Sequence, residues 1–188
     1  LLTEYEHTNL PKTNALISLM CFHASRFNAR QTDNEPLILY EDQDTSLWDD
    51  RLIGQGIHFL DLATQGEEIS SYHLEAKIAW WHCMKEDMPE KWVDILQCYN
   101  RLMRINYSPG VALNRVYAVY KVYGQEAALQ EMEKLNMEDS HFYYLLLGEL
   151  YKNLDNELAR VNFEKAYGLA RTQPEKQVIR DKIVSLNK

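Results

Sequence analysis

Apolar positions recur along most of this chain with the spacing of helices, and nowhere with the sustained alternation of a strand. After Leu10-Pro11, residues Ala15, Leu16, Leu19, Met20, Phe22, His23 and Phe27 form a stripe with i, i+3, i+4 recurrence. Gln31 to Glu35 is a polar break, and Pro36 disfavours helix at the residue before it. The next helix is expected to begin at Thr45 or Ser46, with Ser46 and Asp49 spaced as a capping box. Trp48, Leu52, Ile53, Ile57, Leu60 and Ala63 would be its buried face. Gly54 and Gly56 each cost about 1 kcal/mol against alanine in a helix interior. A neighbouring helix is therefore expected to approach closely there.

The remaining starts and stops are set by local chemistry. Tyr72 to Lys85 reads as helical, and Asp87-Met-Pro-Glu90 as the cap of a helix running to about Asn106. Ser108-Pro109 places serine at the N-cap and proline at the first helical position, where a missing N–H does no harm. Gly124 separates that helix from Gln125 to Leu135. His141 to Lys152 and Asn156 to Ala170 form a pair, and Thr172-Gln-Pro-Glu175 caps a last helix ending near Leu186. The expectation is nine or ten helices and no strand.

A repeat underlies them. Tyr99, Met132 and Phe163 lie 33 and 31 residues apart, each in the second helix of a pair. Tyr144, Leu147, Gly148 and Tyr151 match the first-helix spacing of a tetratricopeptide (TPR) repeat, and Ala159, Phe163, Ala166 and Pro174 follow its second-helix pattern. The turn between them is one residue short and the proline comes late, so the repeat is degenerate. One helix pair cannot bury its own apolar face; stacking several makes a continuous core. The polar last helix, with Lys182 and Lys188, would cap the stack.

Composition narrows the function classes. The net charge of −8 and the lack of a basic stripe argue against direct nucleic-acid binding, which rests on Lys and Arg neutralising phosphates. A partner with a basic face is the electrostatic expectation. Cys21, Cys83 and Cys98 are odd in number and scattered, which reads as free thiols in a reducing compartment, the cytoplasm. No apolar run approaches the roughly 20 residues that span a bilayer. The chain opens at Leu1 within what resembles the tail of a helix (Leu1, Leu2, Tyr5), so it is expected to be a fragment.

Candidate chemistry concentrates between Leu37 and Asp50. Five of the ten residues from Glu41 to Asp50 are acidic and none is basic. Asp42 and Asp44 have the start of a calcium loop, but the sixth position is Leu47 instead of Gly and the twelfth Ile53 instead of Glu. The EF-hand reading fails, leaving a looser divalent site as an alternative. Helix capping and the helix dipole account for Asp44, Ser46, Asp49 and Asp50, but not for Glu41 and Asp42. His58, His73 and His82 match no zinc spacing. No nucleophile elbow or glycine-rich phosphate loop is present, so no catalytic residue, metal or cofactor is assigned. Trp80-Trp81 reads as core, with one indole toward the inner surface of the array. Asn114-Arg115 has two readings: a clamp for an extended peptide or carboxylate, or an intramolecular pair between Arg115 and an acid near 41–50 or 87–90.

These residues resemble a known family. Pro36-Leu37 through Trp48-Asp49, with Gln43-Asp44 and Ser46 at its centre, resembles the L-x-x-Q-D-R-S-x-W signature of one group of sigma factors. These are extracytoplasmic-function (ECF) RNA polymerase sigma factors with a long TPR-like C-terminal extension. Ala15 to Arg26 is similar to that group's L-x-A-L-M-L-L-H-x-A-R helix. Ser108 to Arg115 is similar to its S-P-V-V-x-L-N-R-A-V-A helix, and Gly124 to Leu129 to the following G-P-x-A-x-L. Thr45 departs from the pattern, standing where the group has arginine; any charged contact of that arginine is then lost or supplied by Arg51.

The resemblance implies an all-α, right-handed α–α superhelix of antiparallel TPR-like pairs in one domain. It would comprise N-terminal helices with the acidic loop (1–66) and degenerate pairs plus a capping helix (70–188). The DNA-reading sigma regions lie upstream in such proteins and are absent from this chain. It further implies a regulatory, non-enzymatic role. The partners would be sigma regions of the same chain, core RNA polymerase, or a small DGPF/YCII-type protein, and no membrane. The interaction residues would be Glu41, Asp42, Gln43, Asp44, Ser46, Trp48, Asn114 and Arg115. The alternatives are a free-standing TPR adaptor for a peptide and an all-α ligand or metal sensor.

Overall fold

A computed structural model describes residues 8–30, 43–84, 86 and 88–186. Among them the chain is all-helical, with ten α-helices, one 3-10 turn and no strand. In order these are α1 (Pro11–Ser25), α2 (Phe27–Arg30), the 3-10 turn (Thr45–Leu47), α3 (Asp50–Ala63), α4 (Ser71–Trp81) and α5 (Pro89–Ile105). Then follow α6 (Pro109–Tyr123), α7 (Gln125–Met132), α8 (His141–Tyr151), α9 (Asn156–Leu169) and α10 (Gln173–Ser185). They form two compact units, Leu1–Asn106 and Tyr107–Lys188. The division falls after α5 and not near 66–70, because α3 and α4 both pack on α1 and α5 packs on α4.

In the first unit the most extensive packing is between α1 and α3. The Phe22 ring is fully buried, and a Cβ on Gly56 would lie 2.6 Å from it. Ser18 Oγ donates to the Gly56 carbonyl at 2.7 Å, tying the same point. Gly56 is thus the compensated glycine; Gly54 has nothing within 4 Å of an added Cβ, so no neighbour repays its cost. Ile57 also departs from the expected buried face, being 39% exposed.

The helix expected at Thr45 or Ser46 begins instead at Asp50, and the Ser46–Asp49 capping box does not form. Two aspartates divide the work. Asp44 accepts from the Ser46 N–H (2.9 Å) and closes the 3-10 turn, while Asp49 accepts from the Leu52 N–H (3.0 Å) and caps α3. Helix α4 stops at Trp81, four residues short of the expected Lys85. Two buried cations hold the turn that follows: Lys91 Nζ donates to the Met84 carbonyl (2.9 Å) and Arg26 reaches the His82 carbonyl (3.4 Å). Cations at a helix C-terminus satisfy orphan carbonyls and oppose the negative end of the dipole. At the start of α5 the N-cap is Met88, without a side-chain hydrogen bond; Asp87 lies outside the described residues.

In the second unit local signals and structure agree closely. Ser108 Oγ accepts from the Val111 N–H, Gly124 turns the chain at φ +86°, and Thr172 and Glu175 form a reciprocal capping box. Asp155 caps α9 by accepting from the Glu157 and Leu158 N–H groups. Helices α6 with α7, and α8 with α9, pack as consecutive pairs, and α10 covers α9. Phe163, Ala159, Ala166, Ala170 and Ile179 form a buried cluster. A side chain on Gly148 would overlap the Phe163 ring, so glycine is what lets α8 and α9 meet. Lys182 pairs with Glu149, fixing α10 to α8 as well.

Candidate interaction surface at the motif turn

The end of α1 and the Gln43–Asp49 turn meet through backbone and side chains together. Ser25 finishes α1 with its hydroxyl donating to the Phe22 carbonyl (2.9 Å), and its own carbonyl accepts the Asp49 N–H at 2.8 Å. The next residue, Arg26, is buried, and its guanidinium carbon lies 5.9 Å from the centre of the Trp48 ring. Arg26 therefore links three elements: the turn through Trp48, the end of α4 through His82, and α1 itself. A desolvated cation over an indole contributes about 1–2 kcal/mol.

The turn has two sides. Gln43 is buried and Trp48 half-buried, the Trp48 ring lying beside Arg26 at the end of α1. The Trp48 indole N–H is buried and meets no acceptor among the described residues. Asp44, Ser46, Leu47, Asp49 and Asp50 are exposed, an acidic face with one apolar side chain on it. Thr45, at the position of the group's arginine, is half-buried and gives its carbonyl to the Trp48 N–H (3.1 Å); Arg51 is exposed on the first turn of α3. Glu41 and Asp42 lie outside the described residues.

Beneath this acidic face the charge is reversed. His82 is pushed down to about 4, first by burial and then by Arg26, Lys91, His23 and Arg30. Burial also raises the Cys83 thiol, whose Sγ lies 3.8 Å from both Ser25 Oγ and the Phe22 carbonyl oxygen. Among the described residues no group of three or more His, Cys, Asp or Glu side chains is placed to hold a metal ion. Trp81 is the buried member of its tandem, its Nε1–H donating to Asp94 (2.7 Å), which also takes Lys77.

Asn114 and Arg115 separate on α6. Asn114 is exposed, whereas Arg115 is half-buried and paired with Glu131 of α7. Glu131 also takes Lys134, and these hydrogen bonds, Lys134 first and Arg115 second, hold its carboxyl below the usual range. The partner given to Arg115 within its own unit is Glu131.

Sequence reasoning overlooked Ser25, Arg26, His82 and Lys91 as parts of this surface. The signal available for Arg26 was its place at the end of the helix segment that resembles a sigma-group motif. Two such segments, Ala15 to Arg26 and Pro36 to Trp48, meet in space at Arg26 and Trp48.

No helix among the described residues is long and apolar enough to cross a membrane. No solved structure matches the chain. Residues 1–64 match the model of a family described as "Family of unknown function (DUF6596)". The chain is also similar to an uncharacterized protein of Rhizobium meliloti (strain 1021), 36% identical over 175 residues that cover 90% of this chain. It spans about two-fifths of that relative's length, 41%.

Proposed function

We propose that this chain is a TPR-like superhelical array acting by protein–protein contact, as the C-terminal regulatory part of a cytoplasmic bacterial ECF sigma factor. The carrying observation is the convergence of Arg26 and Trp48. Two segments with sigma-group resemblance, separated in sequence, build one two-sided turn. Its inner side braces α1, α3 and the end of α4. Its outer side, Asp44, Ser46, Leu47 and Asp50, offers acids and one leucine to a basic partner surface.

Consecutive packing of α4 with α5, α6 with α7 and α8 with α9 supports the array, as does the Gly148–Phe163 approach within a TPR-patterned pair. The first unit carries the whole net charge of −8, while Tyr107–Lys188 has eleven acids and eleven bases. A basic partner would therefore be drawn to the unit that holds the turn. The Rhizobium relative has more than half its length outside the alignment, which leaves room in that protein for further domains. The partners on this reading are sigma regions of the same chain, core RNA polymerase, or a small DGPF/YCII-type protein.

The test is transcription by the full-length protein carrying Asp44→Ala. Altered promoter output with an unchanged fold is the expected result; normal output removes the outer face from the mechanism. A start codon close before Leu1 would favour the free-standing TPR adaptor instead.

A further inference from the structure

A crevice within the second unit carries an inference independent of the motif turn. It lies where α7 meets α8 and α9, has a volume of about 240 Å³, and is lined by Leu129, Met132, Leu147 and Leu158 together with Tyr143, Tyr151 and Asn162. That volume suits an inserted side chain or two and is below the range of small-molecule sites.

Its position follows from helix geometry. Tyr143, Leu147 and Tyr151 recur at i, i+4 and i+8 on the side of α8 that meets α7, where the Tyr143 hydroxyl reaches the Met132 carbonyl (3.5 Å). Glu149, elsewhere on α8, is taken by Lys182 of α10. Beside the crevice lie three exposed apolar side chains: Leu154 in the α8–α9 turn, 62% exposed, and Leu158 and Val161 one turn apart on α9, 43% and 44% exposed. Clustered exposed apolar side chains mark a contact site more often than scattered single ones do.

Charge says what covers it. Glu133 lines the crevice and is exposed, and Glu138 is exposed beside it. Burial, then Tyr144, then the Glu138 and Glu133 carboxylates push the Tyr143 phenol up, so both acids act on the crevice wall. The nearby cations Arg115 and Lys134 are committed to Glu131. The unit as a whole is charge-balanced, so this acidity is local.

We infer that the α7–α8–α9 crevice docks a basic amphipathic helix of a partner protein, one apolar side chain entering the crevice, its apolar face against Leu158 and Val161 of α9, and Lys or Arg against Glu133 and Glu138.

The experiment is fluorescence anisotropy of a labelled amphipathic leucine–lysine helical peptide titrated with the 188-residue chain. Saturable binding is expected, together with none by the same peptide bearing Glu in place of Lys. Leu158→Asp, at an exposed position that tolerates charge, should abolish binding while circular dichroism stays unchanged. Glu133→Lys with Glu138→Lys should weaken it roughly tenfold, since rim charge pairs each contribute modestly. Asp50→Lys in the first unit should leave it intact. Absent binding, binding that survives Leu158→Asp, or indifference to the Glu133/Glu138 reversal overturns the inference. So does a dimer of the chain dispersed by Leu158→Asp, which would make a second copy the occupant. Any of these failures leaves the reading of the motif turn untouched.

Discussion

Gly54 and Gly56 sit two residues apart on one helix, and the structure assigns opposite signs to the same substitution at each. Gly54→Ala adds a methyl where nothing lies within 4 Å. It should gain the helix-propensity difference, about 1 kcal/mol. Gly56→Ala gains the same propensity but places its Cβ 2.6 to 2.9 Å from three atoms of the Phe22 ring. That ring is fully buried and cannot swing aside, and the Ser18 hydrogen bond to the Gly56 carbonyl would be strained with it. Overpacking of this kind costs about 1–3 kcal/mol, so after the propensity gain the net loss is up to roughly 2 kcal/mol. The two variants should differ by roughly 2 kcal/mol, which is about 4–8 °C in Tm for a chain this long. All four tryptophans (Trp48, Trp80, Trp81 and Trp92) lie in the first unit, so their fluorescence during unfolding reports on that unit alone. Phe22→Leu should partly rescue Gly56→Ala and destabilise the Gly54→Ala background. Equal melting temperatures for the two glycine variants would refute the α1–α3 contact as described.

Arg26 and Trp48 should be energetically coupled: Trp48→Ala should cost roughly 2–3 kcal/mol as a half-buried aromatic truncation. A double-mutant cycle with Arg26→Ala should return about 1 kcal/mol of interaction, and a value near zero would show that the stacking carries no energy. His82 gives a pH dependence whose sign is fixed. Its folded pKa of about 4 lies below the ordinary 6.5, so the unfolded chain binds the extra proton first and stability falls as pH drops from 6.5 toward 4. The loss is at most roughly 3 kcal/mol, and denaturant melts of His82→Gln should show a flatter profile over that window; an unchanged profile would exclude His82 as its source. Because Glu131 holds Arg115, Arg115→Ala should destabilise the second unit by roughly 1 kcal/mol, measurable by circular dichroism. The exposed Asn114→Ala should not change stability.

Much of the fold was legible because the deciding interactions are local. Ser108 with Pro109, Gly124, and Thr172 with Glu175 each fix a helix end through groups within four residues. What was not legible depends on distant groups. The early end of α4 is set by Arg26 and Lys91, which belong to other helices. The start of α3 was shifted because Asp44 and Asp49 compete as caps, and the 3-10 turn between them separates their roles. Periodicity marked Gly54 and Gly56 alike; only the position of Phe22 tells them apart. Within the candidate surface, composition singled out the acids, yet the buried Gln43 and Arg26 and the half-buried His82 organise the turn on which they are displayed. Asn114 and Arg115, adjacent in sequence, point differently because neighbouring helical residues are about 100° apart.

The claim that matters most is that the outer face of the motif turn meets a partner while its inner face holds the fold. The direct measurement is a pull-down of this chain against the proposed partners, ECF sigma regions and core RNA polymerase, comparing the unmodified chain with Asp44→Ala. Loss of the Asp44 cap should lower stability by only about 1 kcal/mol, so both chains are folded in the assay. The account predicts capture by the unmodified chain and its loss with Asp44→Ala. Equal capture by both, or capture of neither component by the unmodified chain, would contradict it.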